Sequence, residues 1–344
     1  MFKYIIKRIL LSLLVLFGVS VILYFLLRLM PVNYVMDKFL PQISQGNMTW
    51  EDLGRIMKLY GFDLVMFEDE NGTMLGEVDN SFGSIFVGYW QWLGNFLSGD
   101  MGTSFKYAEP VNEIIANKMG ISFGISFVSL IIQVAIAIPL GIKCACNQYG
   151  KFDYITTVVF MTLTAFPSFF LGNMVIKWFA EDLGWFPTGR LNSGMDLPGI
   201  AGFGDMLWHL VLPMFVLTIL SIGSLMRYTR TNTLEVLNAD YIRTARAKGL
   251  SEGKVVYKHV FRNTMIPLVT VLAATLPTLF GGAMITEEVF SIDGIGRTAY
   301  NALKEGDIPL AMCYNMFIAL LTVIGTLLAD LMYAVVDPRV KLGN

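Results

Sequence analysis

Residues 235–267 read EVLNADYIRTARAKGLSEGKVVYKHVFRNTMIP, a polar, basic stretch inside a chain otherwise made of long apolar runs. From Arg227 to Arg262 there are eight Lys/Arg and three Asp/Glu, and runs long enough to span a bilayer lie on both sides. Asn238 or Asp240 can N-cap a helix running to Lys248, and Gly249 supplies the left-handed residue that ends it. Ser251 can cap a second helix, Glu252 to Asn263, that feeds the next apolar run. The pattern predicts helix, tight glycine corner, helix, lying across the ends of a membrane bundle. Ala245 and Ala247 are small enough to let the first helix sit deep in a partner's groove. Arg243, Arg246 and Lys248 can pair with acidic groups around it. Binding of anionic lipid headgroups would need the charges but neither the glycine corner nor the alanines.

The rest of the chain is built for lipid. Of 344 residues, 55% are hydrophobic and only 15% charged, and the mean hydropathy is +0.58. A soluble domain carries about a quarter charged residues, so this is an integral membrane protein. Six segments have spanning length: 9–30, 121–143, 154–180, 206–227, 264–286 and 311–336. Pro139, Pro167, Pro213, Pro267 and Pro277 lie inside or at the ends of these spans, where neighbouring helices can satisfy the freed carbonyls. The first run follows Lys3, Lys7 and Arg8 and ends at Arg28 and Pro31 without a cleavage site, so it reads as a retained span with Arg28 reaching for the headgroups.

Charge asymmetry sets the topology. With the N-terminus inside, segments 1–8, 143–153, 227–262 and 337–344 hold fifteen Lys/Arg and five Asp/Glu. Segments 31–120, 181–205 and 287–310 hold eight and twenty-one. The basic excess places both termini in the cytoplasm. The chain thus divides into a first span (1–30), an extracytoplasmic loop (31–120), a five-helix core (121–336) containing the polar loop 235–263, and a tail (337–344). The loop 31–120 is too long for a connector and too sparse in large apolar residues for an independent domain. Within it, Glu68–Asn80 is acidic and turn-rich, suited to an exposed hairpin. Tyr89–Phe96 suits either a helix at the outer interface or a cap packed on the bundle.

Tyr241–Leu250, YIRTARAKGL, followed by HVFRNTMIP, resembles the cytoplasmic signature loop of permease subunits of ATP-binding-cassette importers, and more narrowly the "B" type subunit of the dipeptide/oligopeptide/nickel branch. Further matches run in order along nearly the whole chain. They are the closing Arg-Leu-Met-Pro of the first span, WLGNFLSGDMGTSF (92–105), PVNEI (110–114), FPSFFLG (166–172), LGWFPTG (183–189), HLVLP (209–213), EEVFSIDGIG (287–296) and DPRV (337–340). Two departures stand out. Arg243, Thr244 and Ala245 replace the Glu-Ala-Ala of the general importer loop, as in the peptide branch, and about twenty extra residues occur near Leu64–Gly83.

The resemblance implies an all-α, six-transmembrane-helix type I importer permease with an enlarged extracytoplasmic loop, in a bacterial cytoplasmic membrane. It implies half of a translocation path for short peptides, completed by a second homologous permease. Two cytoplasmic ATPases would grip Asp240, Tyr241, Arg243, Thr244, Ala245, Arg246, Ala247, Lys248 and Gly249, and an extracytoplasmic peptide-binding protein would deliver cargo. ATP and Mg would sit on those ATPases and no cofactor on this chain; no nucleic-acid partner is implied. Nickel or another small solute is the alternative cargo.

The chemistry missing from the sequence agrees. No G-x-x-x-x-G-K-[ST] occurs, so the chain binds no nucleotide itself. H-E-x-x-H and G-x-S-x-G are also absent, which leaves a membrane enzyme without a nucleophile or a metal. An ATPase-independent carrier would give the basic loop no role. His209 and His259 read as packing or hydrogen-bonding residues, and Cys144, Cys146 and Cys313 as small core residues. Ionisable residues within or at the ends of spans are functional candidates by default. Asp330 in the last span suits a pair with a cation on a neighbouring helix more than a place lining the path, while Glu287, Glu288 and Asp293 after the fifth can hold a peptide's ammonium group at the outer mouth or cap the loop that ends at Gly296; Lys177 can snorkel.

Overall fold

The computed structural model describes residues 2–28, 39–68, 74–195, 197–281 and 283–336. The tail with DPRV, the Met30-Pro31 end of the first span and the tip of the Glu68–Asn80 hairpin lie outside the described residues. In chain order the elements are α1 (Phe2–Arg28), α2 (39–44), α3 (Trp50–Leu59), β1 (Leu64–Glu68), β2 (Met74–Val78), α4 (Phe82–Leu97) and α5 (Val111–Cys146). Next come α6 (Lys151–Thr164), α7 (Ser168–Val175) with a π-helical continuation Ile176–Asp182, and α8 (Ile200–Leu237). They are followed by α9 (Asp240–Ala247), α10 (Glu252–Lys254) with a π-helical stretch Val255–Val260, α11 (Phe261–Gly281), α12 (Met284–Val289), α13 (Ile295–Lys304) and α14 (Ile308–Val336).

Among the described residues α1, α5, α8 and α14 carry runs long and apolar enough to cross a membrane. The 21 residues of α11 stand where the fifth span is expected. The third span is not the straight helix expected over 154–180. It is a pair, Lys151–Thr164 and Ser168–Asp182, bent by 100°. The break falls at Ala165–Pro167, because Pro167 lacks an N–H and its ring excludes the preceding residue from helical geometry. Pro139 and Pro213, by contrast, are accommodated inside α5 and α8. The fifth span stops at Gly281 rather than 286, and α12 begins anew at Met284.

Two compact units form. One comprises Ile5–Asn117 with Ala299–Val323; the other is built on Lys118–Thr298. In the first, Tyr24 of α1, Leu53 and Met57 of α3, Tyr89 and Trp92 of α4, and Ile308 and Met312 of α14 share one buried core. The 31–120 segment has too few apolar residues to fold alone, and it solves this by packing its aromatics on the flanks of two spans. Helix α3 starts with a reciprocal capping box, Thr49 with Asp52. β1 and β2 pair antiparallel from Leu64↔Val78 to Glu68↔Met74, so the extra residues near Leu64–Gly83 form a hairpin.

Helix α4 packs through part of Tyr89–Phe96, as the cap reading expects. Tyr89 and Trp92 are buried, while Phe82, Phe86 and Trp90 leave an exposed apolar face. Arg28 does not reach for headgroups. Its guanidinium donates to the carbonyls of Gly61 and Asp79 and to the Tyr24 hydroxyl, and lies 4.6 Å from the Phe62 ring centroid. An unpaired cation so close to three acceptors is better satisfied there than by distant headgroups.

In the second unit α6 packs along α8, and Gly223 makes the contact close: a Cβ there would meet Thr164 Oγ1 at 2.3 Å and the Phe160 carbonyl at 2.8 Å. Small residues at such crossings let membrane helices approach backbone to backbone. Leu171 and Val175 of α7, Leu210 and Val216 of α8, and Phe290 form one core; Ala137, Cys144, Ile222, Met226 and Leu268 form another.

Candidate functional site

Helix α9 sits in the polar loop as the charge pattern requires, but its first turn differs from expectation. Helix α8 runs on to Leu237, so Asn238 is spent closing it and its Nδ2 donates to the Leu234 carbonyl at 3.0 Å. Ala239 is then the extended N-cap, with no side-chain cap, and Asp240 is the first helical residue. A carboxylate there still favours the positive end of the helix dipole. At the other end Gly249 has φ +76°, the left-handed conformation the corner requires. Ser251 stands at the N-cap position of α10 without a side-chain capping bond, and α10 continues through Val255–Val260 into α11 without a break in the helical chain.

The two faces of α9 are distinct. Ile242 and Ala245 are buried with Val255 and Val260 in a small core that fixes α9 to the following helix. Tyr241, Arg243, Thr244, Ala247 and Lys248 are exposed. Ala245 therefore supports the elbow from within, and Ala247 is the small residue left on the outward face. Arg246 makes a two-pronged ion pair with Glu252, at 2.8 and 3.2 Å, bracing the corner from helix to helix. Arg243 lies 3.6 Å from Asp240, a pair whose side chains are both largely exposed and which holds it weakly. The outward cations are thus Arg243 and Lys248.

Helices α6 and α8 are joined by a pair that sequence reasoning missed. Asp153, 4% exposed in the first turn of α6, takes two hydrogen bonds of 2.7 Å from Arg230 on α8, and one from the Tyr149 amide. Their separation of 77 positions gives no local signal. Asp307 is the corresponding anchor of the other unit. It is fully buried, and accepts from the Ser104 hydroxyl and from the amides of Phe105 and Lys106. The GDMGTSF motif thereby wraps one carboxylate.

The acidic residues after α11 are engaged within the protein. Glu287, 2% exposed, accepts from the Arg297 amide at 2.9 Å at the start of α13, while the Ser122 hydroxyl accepts from the Ile295 amide at 2.8 Å. Glu288 pairs with Arg297 at 2.9 Å, and Asp293 with Lys118 at 2.6 Å. The LGWFPTG loop joins the same knot, Arg190 donating its amide to the Phe290 carbonyl at 2.8 Å. Burial pushes the Glu287 carboxyl up from its ordinary range, against hydrogen bonds from Ser122, Arg297 and Gly296 that favour the carboxylate. Asp330 is half-buried where the apolar run of α14 ends. His209 is buried, its Nδ1 2.9 Å from the Asp205 carbonyl, and Lys177 pairs with Glu181 and Asp182.

Glu287→Ala is expected to orphan buried donors at roughly 1–3 kcal/mol each and to lower the thermal stability of the detergent-solubilised protein. A carboxyl raised in the folded state contributes stability at low pH that is lost as pH rises through its raised range. Glu287→Gln should therefore flatten the decline in melting temperature above the ordinary glutamate range. An unchanged slope in that variant would mean that Glu287 does not titrate there.

A bundle of apolar helices carrying a braced, charged elbow at its end is the architecture of a transporter's membrane subunit. Residues 137–342 match the family described as binding-protein-dependent transport system inner membrane component. The chain belongs to this family and is a multi-pass permease subunit of an ATP-binding-cassette importer. It is similar to the oligopeptide transport system permease protein AppB of Bacillus subtilis (strain 168), 34% identical over 99% of this chain and 100% of the relative. It is also similar to the dipeptide transport system permease protein DppB of Alkalihalophilus pseudofirmus, 30% identical over 99% and 100%. Among solved structures, a chain of the inward-facing MetNI methionine ABC transporter shares the fold, with a TM-score of 0.50 and 16% identity over 65% of this chain and 96% of that one.

Proposed function

We propose that this subunit forms half of an ATP-driven import path for short peptides, and that α9 is the part through which cytoplasmic ATPases move it. The observation that carries this reading is the two-faced elbow. Ile242 and Ala245 lock α9 to the helix that becomes α11, while Tyr241, Arg243, Thr244, Ala247 and Lys248 present an outward face. A displacement of that face is transmitted to α11 through the small core and the Arg246–Glu252 pair instead of being lost in a loop. Alternating access follows: a closing ATPase pair pushes the elbow and opens the path outward, and hydrolysis returns it.

ATP and Mg belong to those ATPases, and this chain binds no cofactor. A second, similar permease completes the path, and an external binding protein delivers cargo. The excess of Lys/Arg in segments 143–153 and 227–262 supports a cytoplasmic elbow and cytoplasmic termini. The names of the relatives favour peptides over nickel as cargo. Tyr241, Arg243, Thr244, Ala247 and Lys248 would touch the ATPase, with Asp240 and Gly249 shaping the ends of the helix. Glu287, Glu288 and Asp293 hold the outer loop in place, which leaves Asp330 as the acidic candidate for the path.

Reversing charge at Arg243 and Lys248 together should strip the ATPases from the complex during affinity purification while leaving the subunit in the membrane. Full retention of the ATPases would mean that these cations face lipid. Arg246 is a poor choice for this test, since its reversal breaks the elbow's own brace.

A further inference from the structure

The second unit contains a cleft of about 280 Å³ lined by polar but uncharged side chains from three helices. Ser126, Ser129 and Gln133 come from α5, Ser221 from α8, and Thr275 and Thr278 from α11; leucines and Ala283 complete the wall. Among the described residues no Asp, Glu, Lys, Arg or His lines it. Its volume falls just short of the roughly 300 Å³ at which pockets begin to hold small molecules. It suits one segment of an extended chain at a time rather than a whole ligand. Polar groups at membrane depth normally face a bundle interior or a water-filled cavity, so six of them converging there need a purpose.

The hydrogen bonding shows which polarity the cleft presents. Ser129 Oγ lies 2.8 Å from the Ile125 carbonyl, Ser221 Oγ 2.9 Å from Leu217, Thr275 Oγ1 2.7 Å from Leu272, and Thr278 Oγ1 2.6 Å from Thr275. A carbonyl oxygen only accepts, so each of these hydroxyls has committed its hydrogen to its own helix. What these four leave for the cleft is oxygen lone pairs, and the Ser126 hydroxyl beside them can donate as well as accept. Gln133 donates through Nε2 to the Ser221 carbonyl at 3.0 Å, which orients the amide and leaves Oε1 as a further acceptor. The wall is rich in acceptors and has no formal charge.

We infer that this cleft is the part of the path that holds cargo by its N–H groups, taking the ammonium and main-chain amides of a short peptide while ignoring the charge of its side chains. The inference rests on the peptide reading above and deepens it. An uncharged acceptor wall attracts every amide N–H equally weakly. A segment can be passed along without the deep trap that a carboxylate would create for cationic peptides or the barrier it would raise for acidic ones.

The test uses the assembled transporter, with its binding protein and ATPases, in proteoliposomes, and trialanine as the probe. Thr275→Val with Thr278→Val keeps the side-chain shape and removes two acceptors. It should lower uptake about tenfold while ATP hydrolysis stimulated by the loaded binding protein persists. Thr275→Ser with Thr278→Ser should restore most of the uptake. Unchanged uptake in the valine variant would overturn the inference, as would a loss that serine does not repair, since that would mark a packing role. A separate single change, Ser221→Ala, should weaken uptake without altering the amount of assembled complex. If the unmodified transporter imports no peptide but does import nickel, the cargo reading itself fails. Import by the unmodified protein with an insensitive valine variant sinks this inference alone.

Discussion

Uptake by a Gly249→Val variant is expected to fall by more than about tenfold, with the subunit still inserted in the membrane and ATP hydrolysis continuing without productive coupling. Gly249 holds φ at +76°, and an added Cβ would meet nothing within 4 Å, so the demand is conformational rather than steric. The left-handed region costs an ordinary L-residue about 1–2 kcal/mol, and a β-branched side chain makes it a genuine outlier. That cost is too small to unfold a bundle of membrane helices. It is large enough to open the corner, whose alternative backbone would swing α9 away from Val255 and Val260. The outward face would then no longer move with α11. Asn tolerates this region better than other non-glycine residues, so Gly249→Asn should retain much of the activity. Transport at the normal rate in the valine variant would remove the elbow from the mechanism.

The second large effect is expected at the ion pair that joins α6 to α8. Asp153→Ala leaves Arg230, whose side chain is 22% exposed, facing a site from which its counter-ion has gone, and strips the Tyr149 amide of its acceptor. Breaking one side of a buried, two-pronged ion pair costs about 3–5 kcal/mol, a large share of the stability of an ordinary domain. The variant should accumulate poorly and become sensitive to protease after solubilisation. Asp153→Ala combined with Arg230→Met should recover part of the loss, because the apolar replacement removes the stranded charge and keeps its volume. A single variant as robust as the unmodified protein would show that water reaches Arg230 freely.

Several details here had no local signature. The elbow was readable because a helix, a left-handed glycine and a second N-cap are short-range features. The N-cap itself was misplaced by one residue, since whether α8 ends before or at Asn238 depends on how far its packing carries it. Ala245 offers the same lesson: it looks like Ala247 in the sequence, yet a rotation of about 200° along the helix turns one inward and the other outward. Pro167 was visible but its consequence was not. Pro139 and Pro213 stay within helices, and only the neighbours of each proline decide whether the chain bends through 100° or continues.

What the sequence alone determined was the class of molecule, the approximate position of the spans, the basic side and the elbow, because hydropathy, charge and glycine geometry are properties of short segments. Tertiary structure alone decided the partners. It joined Asp153 to Arg230, wrapped Ser104, Phe105 and Lys106 about Asp307, turned Arg28 inward, and brought acceptors from α5, α8 and α11 to one cleft. The first three of those contacts each satisfy polar groups across dozens of residues or more. The requirement that such a group be paired is general, but which distant residue meets it is fixed only when the helices pack.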